Sequence, residues 1–232
     1  MAGKIYLIPV TLGGNDCQQV IPVKVLSVTR ALRLFTVEDV RSARRFLKLV
    51  DKEFPIDSTQ FYELNEHTRE EDITRFLDPV LNGKDMGIMS EAGLPGIADP
   101  GSALVKLAHQ RKIRVVPLSG PSSIILALIA SGLNGQKFTF NGYLPVKPDE
   151  LAARLRDLEK KCHEGYTQIF METPYRNQRL LEAIFENCRT DTRLCIAADI
   201  TLPEEFIVTE TIGEWKKKIP VIKDHPAIFI FG

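Results

Sequence analysis

Several features that would narrow the chemistry at once are missing from this chain. Its longest strongly apolar run, Ile124 to Ala130, falls far short of the roughly 20 residues that a membrane-crossing helix needs. The opening MAGKIYLIPV runs straight into an apolar strand, without the longer apolar core and small-residue cleavage site of a secretory leader. Cys17, Cys162, Cys188 and Cys195 show no CxxC pairing and no metal-ligand spacing with the four histidines. Buried free thiols are therefore expected, and a structural metal is not. The 30 basic and 30 acidic residues cancel, so no global field draws in nucleic acid, and any RNA site has to be a local patch. There is no internal repeat and no low-complexity tract. The expectation is a soluble, cytoplasmic protein with neither membrane nor metal as a partner.

What is present is ordinary globular material. The 232 residues, 44% hydrophobic and 26% charged, suffice for one large or two small domains with real cores. Strand and helix patterns alternate throughout, which predicts an α/β protein built on mostly parallel sheet. Strands are read at Ile5–Val10, Leu32–Val37, Asp85–Ser90 and Ile113–Leu118. Further strands follow at Phe138–Leu144, Thr167–Met171, Arg193–Ala198, Phe206–Ile212 and Ala227–Phe231. A helix is read from Glu38 to Val50. Thr68 and Glu71 form a capping-box signature for another, which Gly83 stops. Asp99 and Pro100 suit the N-cap and first position of a third. Ser122 suits the cap of an apolar helix over 123–131, and Thr173-Pro174 that of a later one. Pro and Gly crowd 117–121, which makes that stretch a hinge between domains 1–118 and 122–232.

The segment SEAGLPGIADPG, residues 90–101, leaves a strand and enters a helix through three glycines and two prolines. Such a loop lies at the carboxyl end of a sheet, where open α/β folds bind ligands. Glycine lets backbone groups approach a ligand and proline keeps the loop stiff. A tight connection with no ligand has the same composition.

Order and context separate these two readings. SEAGLPGIADPG, VVPLSGPSSIILALIASGL, FNGYLP and FMETPYR resemble, in that order, motifs of the tetrapyrrole methylase superfamily. They look most like its ribosomal RNA small-subunit methyltransferase I branch, which reads SDAGTPxISDPG, VVPxPGPSAxxxALxxSGL, FxGFLP and FYESPHR. Upstream, VEDVRSARRFL and YELNEHTREE resemble AEDTRHTRKLL and YHEHNERE, and PAIFIFG resembles the superfamily's last strand. The resemblance implies two α/β domains with S-adenosylmethionine bound in the cleft between them, a homodimer, and methylation of a ribose 2′-oxygen in ribosomal RNA. Carried over by position, cofactor contacts fall on Ala92, Gly93, Leu94, Ile97, Ser122, Ser123, Met171, Ala198 and Ile200. The absence of GxGxxG after the first strand agrees, because this superfamily does not use that loop.

The chain also departs from the branch pattern. Val10-Thr11-Leu12-Gly13-Gly14 stands where the branch has Thr-Pro-Ile-Gly-Asn. Glu91 replaces Asp, Leu94 replaces Thr, and Val40 and Ser42 replace the Thr and His of AEDTRHT. The branch's C-terminal extension has no counterpart before the end at Gly232. Backbone-contact positions are kept better than polar side chains, so the cofactor inference is firmer than the acceptor inference.

Methyl transfer from a sulfonium is an in-line displacement in which positioning alone supplies about 7–11 kcal/mol. A hydroxyl acceptor gains from a general base. Glu91 is the first candidate, with capping of backbone amides as its competing role. Glu66 and His67 come next, against a solvated loop pair. Arg176 either orients substrate or is structural. On the helix over 38–50, Arg41, Arg44, Arg45 and Lys48 share one side and Ala43, Phe46, Leu47 and Val50 the other. The basic side reads as a phosphate-binding stripe or as a solvated face. Two further functions stay open: a tetrapyrrole or other small-molecule methylase, and a non-catalytic cofactor-binding protein associated with RNA.

Overall fold

The computed structural model describes residues 2–65 and 67–232, with the backbone alone at Glu70. The chain divides into two compact units, one running through Ser122 and the other Ser123–Gly232. Each carries its own five-stranded sheet.

The first unit is wholly parallel. Its strands are β1 (Lys4–Leu7), β2 (Leu34–Val37), β3 (Gln60–Glu63), β4 (Met86–Met89) and β5 (Arg114–Pro117), in the order β3-β2-β4-β1-β5. LFTV of β2 and MGIM of β4 are buried at every position, as central strands of a sheet covered on both faces must be. Phe35, Val37, Phe46, Leu47 and Met89 pack in one core. Ile5, Leu34, Met86, Ile88 and Leu104 pack in a second.

The crossover helices follow their caps. α1 spans Val23–Ala31, and α2 spans Val40–Val50 behind Asp39, whose carboxylate accepts the Ser42 amide at 2.6 Å. The helix expected from Thr68 is different. The Thr68 hydroxyl accepts the Asn65 amide at 3.0 Å instead of capping, so α3 begins at Glu70 and ends at Phe76. Pro79 has no amide to donate one turn back, and α4 (Asp78–Leu81) is a separate turn. It is stopped as expected, by bonds from Gly83 to Val80 and from Lys84 to Pro79, the paired pattern that closes many helices. α5 spans Gly101–Gln110, with Pro100 already in helical conformation.

The second unit corrects the expectation of mostly parallel sheet. Its strands β6 (Phe138–Tyr143), β7 (Thr167–Met171), β8 (Arg193–Ala198), β9 (Phe206–Thr211) and β10 (Ala227–Phe231) lie in the order β6-β7-β10-β8-β9. Only β6 and β7 are parallel; β10 runs against both β7 and β8, and β8 against β9. The short connection 199–205 can join β8 only to an antiparallel neighbour, since a parallel crossover needs a dozen or more residues. α6 (Ser123–Ser131), α7 (Pro148–His163), α8 (Asn177–Asn187) and α9 (Ile212–Lys217) complete the unit. Leu151, Leu155 and Leu158 of α7 are buried against Leu180, Leu181 and Ile184 of α8. Thr173 does not cap α8 with its side chain, because a 3-10 turn, Pro174–Arg176, intervenes. No helix among the described residues is long and apolar enough to cross a membrane.

Candidate functional site

In the first unit the candidate residues gather where the parallel strands end. β4 leaves the sheet at Met89 and the chain turns through 90–100 into α5. Gly93 lies at the centre of this loop with φ +71°, and a Cβ there would meet Leu12 Cδ2 at 3.1 Å and the Pro121 carbonyl at 3.5 Å. Its carbonyl accepts the Val10 amide at 2.9 Å, which ties the altered stretch after β1 to the loop. The amides of Ala92, Gly93 and Leu94 find no backbone carbonyl among the described residues. A ligand with hydrogen-bond acceptor groups suits that set of amides. Ala92 and Ile97 are exposed, Leu94 is half-buried, and Ser122 is buried.

The loop is held from within. Asp99 accepts the amide of Gly96 at 2.7 Å through one oxygen and that of Gly101 at 2.6 Å through the other. A side chain on Gly101 would put its Cβ 2.8 Å from that Asp99 oxygen, so the residue type follows from the close approach. Burial pushes the Asp99 carboxyl above its ordinary range, outweighing the amides of Gly101, Gly96 and Ile97 that hold it down. Ala98 sits at φ +58°, a left-handed conformation that residues with a Cβ adopt uncommonly and often at functional sites.

Two glutamates stand here, Glu91 within the loop and Glu38 beside it. Glu91 is exposed, and Ser42 Oγ donates to its Oε1 at 3.4 Å. Glu38, just after β2, was not singled out from the sequence, although it lies in VEDVR. It is half-buried and its Oε2 accepts the Glu91 amide at 3.3 Å. Burial pushes its carboxyl above the ordinary range; the Glu91 amide opposes this, and the charges of Glu91, Asp99 and Asp39 add to it. An open cavity of about 600 Å3 adjoins it, lined by Glu38, Asn65, Gly96, Ala98, Asp99 and Ser102.

Of the remaining candidates in this unit, Glu66 lies outside the described residues. His67 is exposed on the turn after β3, its amide donating to Asn65 Oδ1 at 3.0 Å. Arg41, Arg44, Arg45 and Lys48 are all exposed on α2, while Ala43, Phe46, Leu47 and Val50 are buried. The Arg44 guanidinium lies 5.6 Å from the centre of the Phe61 ring. Lys48 Nζ donates to the Lys52 carbonyl at 2.8 Å. The Ser42 amide and hydroxyl, with Arg41 and Arg45 nearby, hold the Asp39 carboxyl below the usual range.

In the second unit Ser123 opens α6 and Met171 ends β7, both half-buried. Ala198 and Ile200 are buried on either side of Asp199. Here too the backbone is unusual. Asp199 has φ +51° and Thr201 φ +72°, the latter an outlier for a β-branched residue. Bonds enforce it: the Asp199 amide donates to the Pro226 carbonyl at 3.0 Å, the Thr201 amide to Glu205 Oε2 at 2.8 Å, and His225 Nδ1 lies 2.6 Å from Asp199 Oδ2. No sequence signal marked this pair, whose members are 26 residues apart. Ala198 also lines a cavity of about 670 Å3 with Phe206, Val208, Trp215 and His225. Arg176 is engaged locally, pairing with Glu172 at 2.5 Å, donating to Thr173 Oγ1 at 3.0 Å and lying over Tyr175. The described residues contain no cluster of His, Cys, Asp and Glu suited to a metal ion.

Residues 4–216 match the family Tetrapyrrole (Corrin/Porphyrin) Methylases. The chain is 31% identical over 211 residues to the ribosomal RNA small subunit methyltransferase I of Vibrio cholerae, covering 90% of this chain and 69% of that one. To the protein of the same name from Pseudomonas aeruginosa it is 34% identical over 213 residues, 92% of this chain and 72% of that one. Among solved structures it resembles the methyltransferase CobJ at a TM-score of 0.65 and 18% identity, over all of this chain and 94% of the other. That last likeness concerns the fold.

Proposed function

Because the chain belongs to the tetrapyrrole (corrin/porphyrin) methylases and is a methyltransferase, we propose that it moves a methyl group from S-adenosylmethionine to a ribose 2′-hydroxyl of ribosomal RNA. The observation that carries this reading is the similarity, at 31% and 34% identity across about nine-tenths of the chain, to two proteins named for small-subunit ribosomal RNA. The exposed basic side of α2 supports it, since an RNA acceptor requires phosphate contacts on a chain of zero net charge. Donor contacts are assigned to Ala92, Gly93, Leu94, Ile97 and Ser122 in the first unit. Ser123, Met171, Ala198 and Ile200 supply them in the second. Gly93 admits close backbone approach, and Asp99 holds the loop in place for it. The donor brings the activated methyl; this chain's residues bind and align the two reactants. The protein works in the cytoplasm as a homodimer.

The test is methyl incorporation from labelled donor into small-subunit ribosomal RNA, run beside tetrapyrrole precursors. Label in RNA alone is the expected result. Label in the tetrapyrroles alone would make the protein a small-molecule methylase. Donor binding with no label in either would leave a cofactor-binding protein without this activity.

A further inference from the structure

We propose that Glu38, rather than Glu91, takes the proton from the acceptor hydroxyl during methyl transfer, and that the cavity it faces in the first unit receives the acceptor. This rests on the methyltransferase reading above and deepens it. At about 600 Å3 the cavity falls within the range of small-ligand pockets, which accommodates one nucleoside. It opens at the carboxyl ends of β2 and β3, the side on which open α/β sheets take their ligands. Its wall includes Gly96 and Ala98 of the loop assigned to the donor, so acceptor and donor share one structural element.

The polar groups around the cavity differ in what they have left to offer. Both Asp99 oxygens are taken up by the amides of Gly96 and Gly101. Asn65 donates from its side-chain Nδ2 to Glu63 Oε1 at 2.9 Å and accepts the His67 backbone amide with Oδ1. Glu38 makes one long bond, from the Glu91 amide to Oε2 at 3.3 Å, and among the described residues none reaches its Oε1. Among the described residues lining the cavity it is therefore the carboxylate with a free acceptor oxygen. Glu91 is exposed and does not line the cavity.

The electrostatic setting suits a base. Burial raises the affinity of Glu38 for a proton, and among the described residues the charges facing it, Glu91 after β4, Asp99 before α5 and Asp39 at the start of α2, add to this. A carboxylate shifted toward the working pH is a better proton acceptor than one at its ordinary value. The same negative surroundings repel phosphate, which leaves phosphates to the basic side of α2. In the step itself the acceptor oxygen attacks the sulfonium methyl. The O–C bond forms as the C–S bond breaks, and that bond's electron pair stays on sulfur, leaving a neutral thioether. The hydroxyl proton passes to Glu38 Oε1.

Single-turnover methylation of small-subunit ribosomal RNA by the full chain, followed from about pH 5 to pH 9, tests this. Glu38→Gln is expected to lower the rate about 100-fold or more and to abolish its fall on the acid side. Donor affinity by calorimetry and RNA affinity should stay at wild-type values. Glu38→Asp, which keeps the carboxylate at shorter reach, should be slower than wild type yet retain the acid limb. A Glu38→Gln rate within a few-fold of wild type, with the acid limb intact, would overturn the assignment and leave the methyltransferase reading standing. Loss of the acid limb in Glu91→Gln but not in Glu38→Gln would return the role to Glu91. No incorporation into RNA by the wild type would overturn the RNA reading and this assignment with it.

Discussion

Gly93 combines a left-handed backbone with a close neighbour in the candidate site. At φ +71° a residue with a Cβ costs about 1–2 kcal/mol. The added methyl would also press on Leu12, 3.1 Å away. Gly93→Ala should therefore lower the melting temperature by about 2–8 °C in a chain of this length. Any larger side chain confounds strain with blocked binding, so Ala is the informative change. If the loop holds the donor, calorimetry on the folded variant should show affinity weakened by at least about tenfold, equivalent to about 1.4 kcal/mol. Wild-type affinity in that variant would remove Gly93 from the donor site.

Among the elements, α2 bears two separable jobs on two faces. Its apolar side, Phe46 and Leu47 foremost, is locked into a core shared with Phe35 and Val37 of β2. Its basic side meets solvent, so charges there can be removed without opening a cavity. Each phosphate contact to a single strand contributes about −0.7 to the slope of log affinity against log salt, and to a duplex about −0.9. Arg44→Ala with Arg45→Ala should thus weaken RNA binding and flatten that slope by about 1.4–1.8, with donor affinity unchanged. Identical slopes and undiminished incorporation would take α2 out of the RNA site. Loss of the Arg44 contact with Phe61 is a small exposed cation–π term, about 0.5–1 kcal/mol, and carries no salt dependence of the phosphate kind.

For the molecule as a whole, the proposed two-fold dimer is a statement about assembly that a single chain does not contain. Closed two-fold association places the same patch on both partners. Light scattering at micromolar concentration should return twice the chain mass, independent of a further tenfold dilution if the dimer is tight. A single-chain mass across that range would mean the protein works as a monomer. Phosphate contacts from two copies of α2 would then also be ruled out as a source of the salt slope.

By itself the amino-acid order determined the family and most of the local structure. Ordered motifs across nearly the whole length identify the superfamily, because several matches in sequence are far more specific than one glycine-rich loop. Strands at 167–171, 193–198 and 227–231 were read with the bounds they have, since β-branched and aromatic runs between turns are a strong local signal. α1 was missed because VKVLSVTRA carries three valines and a threonine, β-branched residues of modest helix propensity that blur the helical pattern. β3 was missed because the four residues QFYE are too short a run to stand out, and they become a strand by pairing with β2. The direction of β10 against β7 and β8 and the Asp199–His225 pair were decided by tertiary structure alone. So was the neighbourhood of Glu38 and Asn65. The parallel register that sets Val37 against Glu63 brings together residues distant in the chain, and the free oxygen of Glu38 depends on where every neighbouring amide points. Periodicity and spacing record what a residue does along its own element; which partners meet it across the sheet is fixed only when the chain has folded.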